Sequence, residues 1–170
     1  MSKTHTYSVC IEVNLPAQRV WDLISKRYDK VSDYADQVVA SRYVGAKQQA
    51  GEGAERLCEF NAKGTSYLRE KMVEVDEAKM EYLNVLTGVK GFPMVPGDTH
   101  ARFRVRPTGP SSCELSADCQ ARTKPAFLAF ILKPIMRRTM RDFLLSVQYH
   151  LQTGEVVIPA RLKEVRRLCA

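Results

Sequence analysis

No apolar run in this 170-residue sequence is long enough to cross a bilayer. The longest, residues 126–132, falls far short of the roughly 20 residues a spanning helix needs. Integral membrane association is therefore not expected. The opening MSKTHTYSVC lacks the apolar h-region of a secretory signal, which predicts a cytoplasmic chain. Cysteine offers no framework either. Cys10, Cys58, Cys113, Cys119 and Cys169 form no CxxC pair, and their odd number fits reduced thiols. The first four fall in strand-like context, where free cysteine packs as a small hydrophobe. The three histidines, His5, His100 and His150, are far apart, and no HExxH or Cys/His ligand spacing occurs. No metal or other cofactor is expected. GxSxG and GxxxxGK[ST] are missing too. The glycines of AGEGAE (residues 50–55) lack a phosphate-gripping lysine and lead into a strand, so they read as a hairpin turn.

What is present has the composition of a soluble globular protein: 45% hydrophobic residues, 26% charged residues and a net charge of +7. The positive balance favours anionic partners without saying anything about fold. Lys and Arg scatter through the strands and gather only mildly at 133–141 and 161–167. Aromatics interleaved with basic residues reduce to Phe103 among Arg102, Arg104 and Arg106, too little for a nucleic-acid platform. No nucleic-acid partner is expected, and a solvated basic face accounts for the charge. The length suits one domain, assigned to residues 1–155, with 156–170 as a C-terminal extension of unassigned role.

Along the chain, residues 6–13 alternate, with Tyr7, Val9, Ile11 and Val13 on one side and Ser8, Cys10 and Glu12 on the other. That is a half-buried strand. Pro16 is suited to open a short helix carrying Val20, Trp21, Leu23 and Ile24, and 28–36 reads as a second short helix or turn. Strands follow at about 38–45, 54–62, 66–75, 79–87, 99–107 and 112–122, separated by turn-forming sequence. Many antiparallel strands and a terminal helix make the class α+β.

The stretch KPAFLAFILKPIMRRTMRDFLLSVQYHLQTGE (124–155) is long, greasy and basic. At 100° per residue, Met136, Met140, Phe143, Leu144, Val147 and Leu151 share one stripe. Before and just past Pro134, the residues Phe127, Leu128, Ile131 and Ile135 centre on a different face. A stripe that rotates across a proline predicts a bent or broken helix. Arg137, Arg138, Arg141, Gln148 and Gln152 lie off the main stripe and are expected to be wet, as in a helix laid on a sheet.

Three stretches together resemble the START-like, Bet v 1-like (SRPBCC) superfamily, in its polyketide cyclase/dehydrase-like or MxaD-like branch. SVCIEVNLPAQRVWDLIS is similar to its first strand and proline-led helix. GEGAERLCEFNAKGTSYLREKMVEVDEAKMEYLNV is similar to its glycine-turn hairpins, and FLAFILKPIMRRTMRDFLLSVQYHLQTGE to its long last helix. The resemblance implies a helix-grip fold: a curved seven-stranded antiparallel sheet wrapped around a long C-terminal helix, with two short helices after the first strand. It also implies a cavity between sheet and helix for a lipid-like or polyketide/aromatic small molecule. The alternative it carries is a polyketide cyclase/aromatase or dehydratase acting in the same cavity. Where the superfamily often has Trp and Phe in the last strand, this chain has Leu115 and Cys119. Either the cavity is enlarged there or other side chains fill it.

On the concave side, alternation selects Ala101, Phe103 and Val105, then Cys113, Leu115, Ala117, Cys119 and Ala121. The arginines and acids of the opposite parity are expected to pair across strands. Strand 66–75 sorts less cleanly, offering either Leu68, Glu70 and Met72 or Tyr67, Arg69 and Lys71. If the first set faces inward, Glu70 becomes a carboxylate in a greasy cavity. Tyr82 and Asn84 then share its face, and Arg56 is its natural partner. These three, Glu70, Tyr82 and Arg56, are the acid–base candidates, with an internal hydrogen-bonded set as the competing account. The candidate ligand-contacting residues are Phe60, Met72, Tyr82, Leu86, Met94, Phe103, Val105, Leu115, Met136, Met140, Phe143 and Val147, with Met94 in a proline-framed rim loop.

Overall fold

The computed structural model describes residues 4–169. Its elements are β1 (His5–Val13), α1 (Ala17–Trp21), β2 (Ala40–Val44), β3 (Glu55–Glu59), β4 (Tyr67–Asp76), β5 (Glu81–Lys90), β6 (His100–Gly109), β7 (Ser112–Ala121), α2 (Leu128–Thr153) and α3 (Leu162–Cys169). α1 runs on into a π-helical turn, Asp22–Lys26, and a 3-10 segment, Tyr28–Asp33, comes next. The strands form one antiparallel sheet in the order β1-β7-β6-β5-β4-β3-β2. The seven-stranded α+β helix-grip architecture expected from the sequence is what the chain adopts.

Alternation puts one row of β1, β3, β5, β6 and β7 inside. Val9, Ile11 and Val13 of β1 register against Ala117, Leu115 and Cys113 of β7, and Phe103 and Val105 continue the row on β6. Each such fully buried Val, Leu, Ile or Phe side chain contributes roughly 1.5–3 kcal/mol. The opposite row is a chain of charge. Ser8 donates to Asp118, Arg104 bridges Asp118 and Glu81, and Arg102 bridges Glu81 and Glu74. Glycines anchor the ten-residue connection between β2 and β3. In the β2–β3 turn, Gly51 and Gly53 adopt φ +117° and +85°, and Gly53 N–H donates to the Met72 carbonyl on β4 at 2.8 Å.

The expected break in α2 and one residue of its wet face are corrected. The helix is neither broken nor interrupted at Pro134, which sits inside one continuous 26-residue element. Its loss is a single donor, and Pro134 is exposed, so the unbonded Phe130 carbonyl is open to water. Gln148 is not wet but 3% exposed. The reason lies in residues 156–169. Val157 N–H donates to the Asp33 carbonyl, and α3 then folds back against the outward side of α2. Val165 is fully buried there, and Arg166 clamps Asp142 through Nε–Oδ1 at 2.8 Å and Nη2–Oδ2 at 2.6 Å. The short amphipathic period of LKEVRRLC is the sequence signal for this element, and it lies beyond residue 155, where the family resemblance ends.

Candidate functional site

The register carries the β3–β4 turn, the β5–β6 loop and the start of α2 to one end of the sheet, and α1 with the end of α2 to the other. Arg19 Nη2 donates to the Leu151 carbonyl at this second end. At the first end, the β5–β6 loop is stitched to the segment entering α2. Met94 bridges Thr123, Val95 N–H donates to Arg122, and Lys124 N–H donates to Pro93. Phe60 from the β3–β4 turn meets Phe92 of that loop edge to face, centroids 4.9 Å apart.

Between sheet and helix, aromatic side chains fill the middle. Tyr82 stacks on Phe103 at 5.3 Å, Phe103 meets Phe143 of α2 at 6.0 Å, and Phe143 meets Tyr34 at 5.8 Å. Tyr28 packs edge-on against Tyr82, and Trp21 closes the α1 end, its Nε1–H bonded to Glu77 at 2.7 Å. The residues at the Trp/Phe positions of the last strand, Leu115 and Cys119, are therefore accompanied by bulk from elsewhere. Sequence reasoning missed Tyr28 and Tyr34; with Val31 they form a three-residue spacing that suits a 3-10 turn.

Beside this cluster sits a charged set. β4 presents Glu70 inward, and the register pairs it with Arg56 on β3. Arg56 Nε and Nη2 reach the same carboxylate oxygen, Oε2, at 2.9 and 2.8 Å. Nη1 donates to the Tyr28 carbonyl at 3.0 Å, and the guanidinium lies 4.1 Å over the Tyr28 ring. Tyr28 hydroxyl in turn lies 2.5 Å from Asn84 Oδ1. The Cys58 thiol, 3.8 Å from Glu70 Oε2, is pushed up to about 12 by burial and stays protonated. Burial likewise raises the Tyr28 and Tyr82 phenols well above the ordinary range and holds them neutral. The side chain of Arg56 is 5% exposed and that of Glu70 22% exposed, so the carboxylate alone of the pair reaches solvent.

The sequence-derived ligand set divides by exposure. Met72, Tyr82, Leu86, Phe103, Val105, Leu115 and Val147 are closed within packed core. Phe60 and Met94 at the mouth, and Met136, Met140 and Phe143 on α2, are half-buried. Along the inward side of α2, Ala129 and Val147 are covered while Leu132, Met136, Met140 and Phe143 between them are only partly so. This is a window of half-covered apolar surface on the inward side of α2. Among the described residues no group of three His, Cys, Asp or Glu side chains is placed to hold a metal ion, and no helix is long and apolar enough to cross a membrane.

A family profile described as polyketide cyclase / dehydrase and lipid transport matches residues 4–151. The chain belongs to this family. Solved structures agree on the fold of this polyketide cyclase / dehydrase and lipid transport family member. A solution structure from Thermobifida fusca shares 24% identity over 89% of this chain and 96% of its own, with a TM-score of 0.71. The crystal structure of Ara h 8.0201 gives 14% identity, 89% and 99% coverage and a TM-score of 0.72. Norcoclaurine synthase from Thalictrum flavum, in complex with dopamine and hydroxybenzaldehyde, gives 18% identity, 89% coverage of both chains and a TM-score of 0.63. No curated protein matches the chain significantly. The family match, with these structures agreeing on the fold, bears out the expected START-like, Bet v 1-like superfamily.

Proposed function

We propose that the protein binds a hydrophobic small molecule, lipid-like or aromatic, between the concave sheet and α2. The observation that carries this reading is the window of half-covered apolar residues on the inward side of α2. Leu132, Met136, Met140 and Phe143 lie there between covered neighbours, on the helix whose entry segment is bonded to the loop containing Met94. Apolar surface left partly wet at a concave junction is where a ligand gains most, at roughly 25 cal/mol per Å² buried before ordering costs. Methionines at two of the four α2 positions suit ligands of varied shape. The family, which spans lipid transport and cyclase/dehydrase chemistry, supports the same class of ligand.

A cyclase or dehydratase reading works through Glu70, whose partly exposed carboxylate is the ionisable group of the candidate trio nearest to solvent. Arg56, Tyr28 and Asn84 bind it into a structural network, which favours binding over catalysis. Two experiments test the reading. Native mass spectrometry of protein purified from its host is expected to show a bound lipophilic species. Displacement of 1-anilinonaphthalene-8-sulfonate by that species is expected to weaken at least tenfold in Met140→Glu, which sets a charge in the window. Equal dye binding and displacement in Met140→Glu and the parent overturns the proposal. Loss of turnover of an identified substrate in Glu70→Gln, with ligand affinity unchanged, moves the function to the enzyme.

A further inference from the structure

We propose that the outward face of the first half of α2 docks the protein on an anionic lipid bilayer surface. Phe127, Phe130, Ile131 and Ile135 are 67, 84, 55 and 55% exposed, among the largest apolar exposures in the chain. At 100° per residue, Phe127, Ile131, Pro134 and Ile135 share one side of the helix, opposite Met136, Met140, Phe143 and Val147. The first half of α2 thus carries two apolar faces: one turned to the window, the other uncovered. α3 covers the outward side only further along, where Arg166 grips Asp142.

Charge identifies the occupant. Lys124, Lys133, Arg137, Arg138 and Arg141 are all exposed on this segment, and no acidic residue occurs from Cys119 through Arg141. Among the described residues none of these five cations forms an ion pair, whereas nearby Arg122 is paired with Asp98. Arg138 falls within the apolar side itself. A protein interface excludes charge from its apolar centre. An interfacial helix does the reverse, sinking aromatic and aliphatic side chains below the headgroups while long cationic side chains reach up to anionic lipid. The β5–β6 loop is bonded to the segment that enters α2, so docking here sets the mouth containing Met94 beside the bilayer.

The test uses the full-length chain without added ligand, so its outcome is independent of whether the internal site is filled. Co-sedimentation is measured with vesicles of phosphatidylcholine alone and mixed with phosphatidylglycerol, at low and high salt. Binding is expected only to the mixed vesicles and is expected to fall with salt. Replacing Arg137, Arg138 and Arg141 with Gln lowers partitioning roughly 100-fold, about fivefold per charge. The F130S/I131S variant lowers it at least about tenfold. Both sets of changes lie on exposed positions, and unchanged thermal melts confirm folding. In F130W, indole emission shifts to the blue on mixed vesicles. The proposal is overturned by no vesicle binding, by equal binding to both compositions, or by variants that bind like the parent. Concentration-dependent dimerisation abolished by F130S/I131S also overturns it, assigning the face to a second copy.

Discussion

Removing Glu70 should cost far more than removing an ion-pair partner at the surface, because the charge left behind cannot reach water. Arg56 is held by the Glu70 carboxylate, the Tyr28 carbonyl and the Tyr28 ring, with its side chain 5% exposed. In Glu70→Ala the guanidinium loses two charge-assisted bonds, from Nε and Nη2, and keeps one neutral acceptor. Breaking a buried pair from one side costs about 3–5 kcal/mol. The 22% exposure of the Glu70 side chain admits some water to the vacancy, which brings the expectation to about 3 kcal/mol. Adding Arg56→Met in the same chain removes the stranded cation, so the double variant should recover part of that loss, with a coupling of about 2 kcal/mol. Arg42→Ala, whose Glu59 contact is 56% exposed on the arginine side, is the control and should change stability by under about 1 kcal/mol. Trp21, the single tryptophan and fully buried, reports urea unfolding. Additivity of the two substitutions within about 0.5 kcal/mol would refute the reasoning.

Three further outcomes are expected. Asp36 has its pKa raised by burial and then by the nearby Asp142 charge, and its Oδ2 is buried without a partner. A raised carboxyl pKa in the folded state means that ionised Asp36 opposes folding above the unfolded value near 3.8. Asp36→Asn should therefore raise the thermal midpoint at pH 7 and lose that advantage below pH 3.8, and a constant difference across the range counts against the assignment. Of the five thiols, Cys10 is exposed and the others buried, with burial lifting Cys113 to about 11 and Cys119 to about 12. An aromatic disulfide reagent at about pH 8 should titrate one thiol quickly and the rest only on unfolding. Pro134→Ala restores a donor for the Phe130 carbonyl in a helix that is already continuous, and should increase local stability by about 1–3 kcal/mol. Hydrogen exchange of residues 128–137 checks this: unchanged protection would mean that the proline imposes no cost.

The sheet was legible because its inner row is apolar at period two on β1, β6 and β7, and the outer arginines found their acids across β5, β6 and β7. Glu70 is where that reading divided. In β4 both parities contain charge, and only the position of Arg56 on β3, opposite in register, decides which side is inside. Register is a relation between strands and leaves little trace in one of them. Pro134 misled for a related reason. A proline in an exposed helix can leave its orphan carbonyl to water, so the break expected from local geometry need not occur. Gln148 looked wet because a helix's pattern records one partner well and a second, contributed from 156–169, poorly. The split of ligand candidates into covered and half-covered residues depends on how Tyr34 meets Phe143 and Tyr28 meets Tyr82, which no single strand or helix pattern contains.

The grip of α3 on α2 has a mechanical consequence. Over its last turns α2 is clamped on both sides, by the sheet and by α3, with the Asp142–Arg166 pair at the edge of the clamp. Ahead of that edge the outward side is bare. The helix is thus a beam held at both ends, by this clamp and by the bonded segment 122–124 that enters it, and a load between them is borne as a bending moment where the clamp begins. The window formed by Met136 and Met140 lies just outside that fulcrum. Its width can then be set by deflecting a beam, with the seven strands and their ion pairs left in place.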